Sequence, residues 1–166
     1  FGGPSPDVEC TDEMPNFVST FHDLLKAKKI LAYHDRSDGG LITTLAEMSF
    51  AGRIGLKIKL DSLVQDKNNL IELLFNEELG AVIQVLDQDK DSILAILNSC
   101  GLKNHIYDIG TISSEKEIDL ELDDKSFLSL PIKELLKTWH QVSFEIQSLR
   151  DNPETAKAAY DHDINI

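Results

Sequence analysis

The sequence predicts a layered α/β (α+β) domain, a mixed sheet covered by helices. Three observations predict it. Apolar residues recur at helical spacing in several separate stretches. Between them lie short runs that alternate apolar and polar, as in IGLKIKL, or are continuously apolar, as in GAVIQVL. Three further strand candidates, HIYDIGTI, KEIDLEL and KSFLSL, follow one another and predict a closing meander. Helices alternating with strands bury one face each against a shared sheet, and an intervening helix allows parallel neighbours. Strands 54–60 and 80–86 are expected in one sheet, with helix 39–51 packed on it.

Residues 1–14 are read as a leading loop or linker, since FGGPSPDVE is rich in Gly and Pro. From Pro15, Phe17, Phe21, Leu24 and Leu25 share a helical stripe, and Lys26, Lys28 and Lys29 suit the negative end of the helix dipole. Residues 30–33 predict a short strand, and 39–51 a helix with Leu41, Leu45 and Met48 inward, stopped by Gly52. Then come strand 54–60, helix 67–75, strand 80–86 and helix 89–99, stopped by Gly101. The short polar link between HIYDIGTI and KEIDLEL predicts a hairpin. A helix from Pro131 to about residue 150 carries a broad apolar face of Leu135, Leu136, Trp139, Val142, Phe144 and Ile146. The domain proper is thus 15–150. The polar stretch 151–166 is read as a linker.

Composition narrows the function. The 166 residues are 42% apolar, enough for a packed core. A net charge of −13 disfavours nonspecific nucleic-acid binding, which needs a basic face. The apolar runs fall far short of the ~20 residues of a membrane span. Cys10 and Cys100 match no metal-ligand spacing and are read as free thiols in a reducing compartment. The first residue is Phe1 and no signal peptide opens the chain, so the sequence is expected to be an excerpt from something longer.

The chemistry concentrates in YHDRSDGG, residues 33–40, between an apolar run and a helix. Two readings compete. In one, Asp35 holds Mg²⁺ through a hard oxygen ligand, while Ser37 and the amides around Gly39 and Gly40 meet an anion at the helix N-terminus. In the other, Ser37 or Asp38 is an N-cap and Gly39-Gly40 a tight turn. His34 and Asp35 point to opposite faces of an extended strand and cannot share one task without a bend. Glu77 and Glu78, in LFNEELG, are either a solvated turn or carboxylates turned toward the same ligand. His22, His105, His140 and His162 have no partners at ligand spacing.

YHDRSDGGLITTLAEMSFAGRIG and LFNEELGAVIQV closely resemble the phosphoribosylformylglycinamidine synthases of the large single-chain bacterial type. PSPDVE and WHQVSFEIQSLRDNPE are similar to the segments that flank those blocks in the same family; 61–69 and 87–130 match weakly. The resemblance implies the C-terminal-domain fold of the aminoimidazole ribonucleotide synthetase superfamily, here from the second synthetase half. It implies an ATP-dependent ligase of purine biosynthesis. ATP phosphorylates the amide oxygen of formylglycinamide ribonucleotide, and glutamine-derived ammonia displaces the phosphate. A glutaminase domain would follow residues 151–166.

Carried over residue by residue, Asp35 becomes a magnesium ligand and Ser37 an ATP contact. His34, Asp38, Gly39, Gly40, Glu77 and Glu78 match the motifs as site support. The implied cofactor is Mg²⁺, with ATP as substrate, and the implied partners are the missing synthetase and glutaminase domains. Neither nucleic acid nor membrane is expected, and the location implied is the cytoplasm. A lone Asp and Ser cannot complete a phosphate-bridging Mg²⁺ site, so the chain alone is expected to be inactive. Two alternatives remain. One is another ATP-dependent member of the superfamily, against which FNEELG and LRDNP argue. The other is a non-catalytic interaction module, against which Asp35 and Ser37 argue.

Overall fold

The computed structural model describes residues 11–64 and 69–165. The elements run α1 (Glu13–Lys26), β1 (Ala32–Asp35), α2 (Gly40–Gly52), β2 (Gly55–Lys59), α3 (Leu70–Phe75), β3 (Ala81–Gln84), α4 (Lys90–Ser99), β4 (Gly110–Ser113), β5 (Glu117–Leu122), β6 (Lys125–Pro131), α5 (Ile132–Arg150) and α6 (Pro153–Asp163). They form two compact units: residues 1–48 with 62–108, and residues 49–61 with 109–166. The boundary falls within α2.

In the first unit, the apolar stripe of α1 and the i, i+4 pair of α4 meet. Phe21 and Leu24 pack with Ile93, Leu97 and Leu102, and Phe17, Ile30, Ile83, Val85 and Ile106 surround them. The Phe17 and Phe21 rings lie 4.4 Å apart, and Tyr33 meets Phe21 edge-on at 5.7 Å. β1 pairs antiparallel with β3, with Tyr33 opposite Ile83 and Asp35 opposite Ala81. Helix 67–75 is seen as α3 from Leu70; residues 65–68 lie outside the described ones.

In the second unit the sheet order is β4-β2-β5-β6, mixed in direction. Its alternation buries Ile58, Leu60, Ile118 and Leu120 beside Ile132 of α5, each at 3% exposure or less. The mixed sheet and its helices bear out the predicted fold class.

Two pairings differ from expectation. β2 and β3 lie in separate sheets, not one. Both edges of β2 are taken, by β4 antiparallel and by β5 parallel, so none is left for β3. For the same reason β4 and β5 form no hairpin: β2 lies between them. Their short link passes over the start of β2, where a Cβ on Gly55 would sit 1.7 Å from the Glu115 carbonyl oxygen. Only glycine permits that crossing. The hairpin is β5–β6 instead, turned by Asp123 and Asp124 at φ 53° and 56°. Two consecutive left-handed residues suit the twist of a two-residue hairpin.

Within 151–166, read as a linker, residues 153–163 are helical. Asn152 accepts hydrogen bonds from the amides of Glu154 and Thr155 at 2.9 and 3.2 Å, and Pro153 stands at the first helical position. Tyr160 of α6 stacks on Phe144 of α5 at 4.6 Å. No helix among the described residues is long and apolar enough to cross a membrane.

Candidate functional site

β1 ends at Asp35, and α2 begins at Gly40. The burial of β1 alternates, with His34 inward and Tyr33 and Asp35 outward. His34 Nδ1 donates to the Asp35 carbonyl at 2.7 Å, and its Nε2 lies 2.7 Å from Glu47 Oε2. The two neighbours therefore do separate tasks. His34 ties the strand to α2, while Asp35, Ser37 and Asp38 stand exposed.

The cap of α2 does not come from Ser37 or Asp38. Among the described residues neither side chain bonds the helix amides. The Gly39 amide instead donates to Glu77 Oε1 at 3.1 Å, across 38 positions. A carboxylate suits the positive end of the helix dipole. Arg36 completes the link. Its amide donates to the Gly80 carbonyl at 2.8 Å, its Nε to the Glu78 carbonyl, and a terminal nitrogen to Leu79 at 3.3 Å. Burial lowers the Arg36 pKa from its ordinary value, and Glu78 offsets part of that.

Backbone packs on backbone here. A Cβ on Gly40, at φ +71°, would lie 2.6 Å from the Asn76 carbonyl oxygen and 2.8 Å from that of Leu74. HDRSDGG and FNEELG are thus one assembly, held by Arg36, Glu77 and a glycine contact. The structure unites all eight predicted site residues in the first unit, Glu78 through its carbonyl and an exposed side chain.

Arg36 and Glu47 are the participants the sequence reading missed. Each breaks a local pattern: Glu47 is the lone charge in LITTLAEMSFA, and Arg36 sits inside the motif with no role assigned. Cys100 is a half-buried free thiol; Cys10 lies outside the described residues.

The exposed rim carries Asp35, Asp38, Glu77 and Glu78, while Arg36 is committed to carbonyls. Burial, then Asp35, raises the Tyr33 phenol pKa. Such a rim repels a bare phosphate and suits one bridged by a cation. The exposed Asp35 carboxylate is the kind of hard oxygen donor Mg²⁺ prefers. Among the described residues no three His, Cys, Asp or Glu form a metal-ligating group, so the fit is that of a partial ligand set.

These features place the chain in a family. Residues 8–123 match the family described as AIR synthase related protein, C-terminal domain, and the chain belongs to it. It is 41% identical over 158 residues to a phosphoribosylformylglycinamidine synthase of Schizosaccharomyces pombe, covering 94% of this chain but 12% of that protein. Among solved structures it is similar in fold to Thermotoga maritima PurLQS, with a TM-score of 0.64 and 17% identity over 76% of this chain and 22% of that one. T. maritima PurL complexed with ATP gives a TM-score of 0.61 at 17% identity, covering 72% and 21%. A hydrogenase maturation protein, HypE, in complex with ATP gives 0.54 at 18%, covering 69% and 41%. The chain thus spans about an eighth of its curated relative.

Proposed function

We propose that this chain is the C-terminal domain of the second synthetase half of a phosphoribosylformylglycinamidine synthase. The whole enzyme would convert formylglycinamide ribonucleotide to the amidine with ATP and glutamine-derived ammonia. The observation that carries this is the 41% identity over 94% of the chain to the S. pombe enzyme, joined to the HDRSDGG–FNEELG assembly. The domain borders we infer are 15–150, with 151–166, including α6, leading toward a glutaminase domain. A free thiol at Cys100 fits a reducing location such as the cytoplasm.

In this reading Asp35 holds Mg²⁺ through its carboxylate, and Ser37 donates its hydroxyl to an ATP phosphate oxygen. The ion, when bound, neutralises charge developing on the transferred phosphoryl group. Glu77 holds the turn open by capping α2, Arg36 keeps the two blocks in register, and His34 anchors β1 to α2. The remaining ion ligands come from phosphates, waters and the other domains.

The test is an assay of the full-length polypeptide with formylglycinamide ribonucleotide, ATP, Mg²⁺ and glutamine. Formation of the amidine with ADP release is expected, and none from residues 1–166 alone. Turnover of another substrate of the superfamily, without amidine formation, would replace this reading.

A further inference from the structure

On α5, Ile132, Leu135, Trp139, Val142, Ile146 and Leu149 recur at alternating steps of three and four. That is the seam spacing of two packed helices. Of this stripe, only the first turn is buried. Ile132 is fully buried, yet Trp139 is 53% exposed, Val142 66%, Ile146 56% and Leu149 91%. α6 covers a different side, through Phe144 and Tyr160.

At the near end of this stripe is a pocket of about 330 Å³, lined by Phe50, Leu136 and Trp139 with Arg53, His140 and Asp163. The Phe50 and Trp139 ring centroids are 6.2 Å apart. Arg53 sits at φ 49°, just past the end of α2, where glycine is the usual residue. A residue with a Cβ is disfavoured there. Among the described residues its guanidinium has no hydrogen bond or ion pair.

We infer that this stripe and the Arg53 pocket dock another segment of the same longer polypeptide, one that presents aliphatic side chains to α5 and a carboxylate to Arg53. The inference rests on the reading of the chain as part of a larger synthase, as its match to 12% of the S. pombe relative suggests. The exposed stripe amounts to roughly 500 Å² at most, taking ~150–250 Å² for an aromatic side chain and less for each aliphatic one. A stable interface between separate chains needs about 800 Å² per partner. A net charge of −13 further opposes a second copy. A tethered segment has an effective concentration of order millimolar, and for it so small a patch suffices.

The experiment uses the full-length enzyme with Val142→Cys, Leu149→Cys and, as an exposed control on the same helix, Gln147→Cys. Maleimide labelling under native conditions is read by mass spectrometry of the modified peptide. Val142→Cys and Leu149→Cys should react about tenfold or more slowly than Gln147→Cys, a docking preference of about 1.4 kcal/mol. Adding Arg53→Ala should speed labelling at residue 142 severalfold, and an unchanged rate overturns the carboxylate contact. Equal rates at the three positions overturn the docking. Protection that vanishes on dilution assigns the face to a second copy and overturns it too. Amidine formation by the same preparations keeps the outcomes apart: protection without amidine formation refutes the proposed function and spares the docking, and the reverse refutes the docking alone.

Discussion

The ribbon of β1 and β3 and the sheet of β4, β2, β5 and β6 are made of similarly short strands held by different forces. No residue of the ribbon's strands is buried, whereas β5 alone places Ile118 and Leu120 wholly out of solvent. The sheet rests on burial at about 25 cal/mol per Å². The ribbon's end rests on the Arg36 bonds, the Glu77 cap and backbone contact at Gly40. The difference follows from task. Under the proposed function the turn faces a ligand and has to keep Asp35 and Ser37 exposed, which leaves its geometry to polar contacts around them.

The sharpest break should come in the sheet. Gly55→Ala forces a Cβ into the Glu115 carbonyl, so the crossing link must move. A loss of about 4 kcal/mol or more is expected, read by chemical denaturation. Gly40→Ala at the ribbon should cost less, about 3 kcal/mol, because it strains a positive φ and presses less closely, on the last residues of α3 and Asn76. A Gly40→Ala cost above that of Gly55→Ala would reverse the comparison.

Arg36→Gln separates the forces further. It removes hydrogen bonds to the Glu78 and Leu79 carbonyls, and a loss of about 1–2 kcal/mol is expected, or ~2–8 °C in Tm. In the full-length enzyme the same variant should weaken ATP use as the two blocks separate. Wild-type ATP kinetics in a destabilised Arg36→Gln would make Arg36 purely structural.

Much of this was legible in the sequence, for identifiable reasons. α1, α4 and α5 follow from apolar spacing, and the β2 run from alternation. Sheet partners were not, because strand periodicity says which face is buried and nothing about which edge is free. GAVIQVL reads the same whether it pairs with β1 or β2. The β5–β6 turn hid behind Asp123-Asp124, which carries no glycine. The helix at 153–163 was missed because its apolar content is low, although Asn152-Pro153 was a start signal in plain view. At the turn, the two motifs were legible in the sequence and the bonds that join them were not. A cap delivered by Glu77 to Gly39 spans 38 positions, and no local rule reaches that far.

The smallest stability effect should accompany a clear functional one. Ser37 is exposed, and its hydroxyl does not cap α2. Ser37→Ala in the full-length enzyme should leave Tm within a few degrees of wild type. It should raise the KM for ATP about ten- to a hundredfold, the worth of one hydrogen bond to a charged group. An unchanged KM would remove Ser37 from the ATP site.

The role of Asp35 in holding Mg²⁺ is decided by the kcat of full-length Asp35→Asn at saturating Mg²⁺. The change keeps size and removes one negative charge from an exposed side chain. If Asp35 holds Mg²⁺, kcat should fall about a hundredfold or more, with Tm nearly unchanged. A wild-type kcat would contradict it.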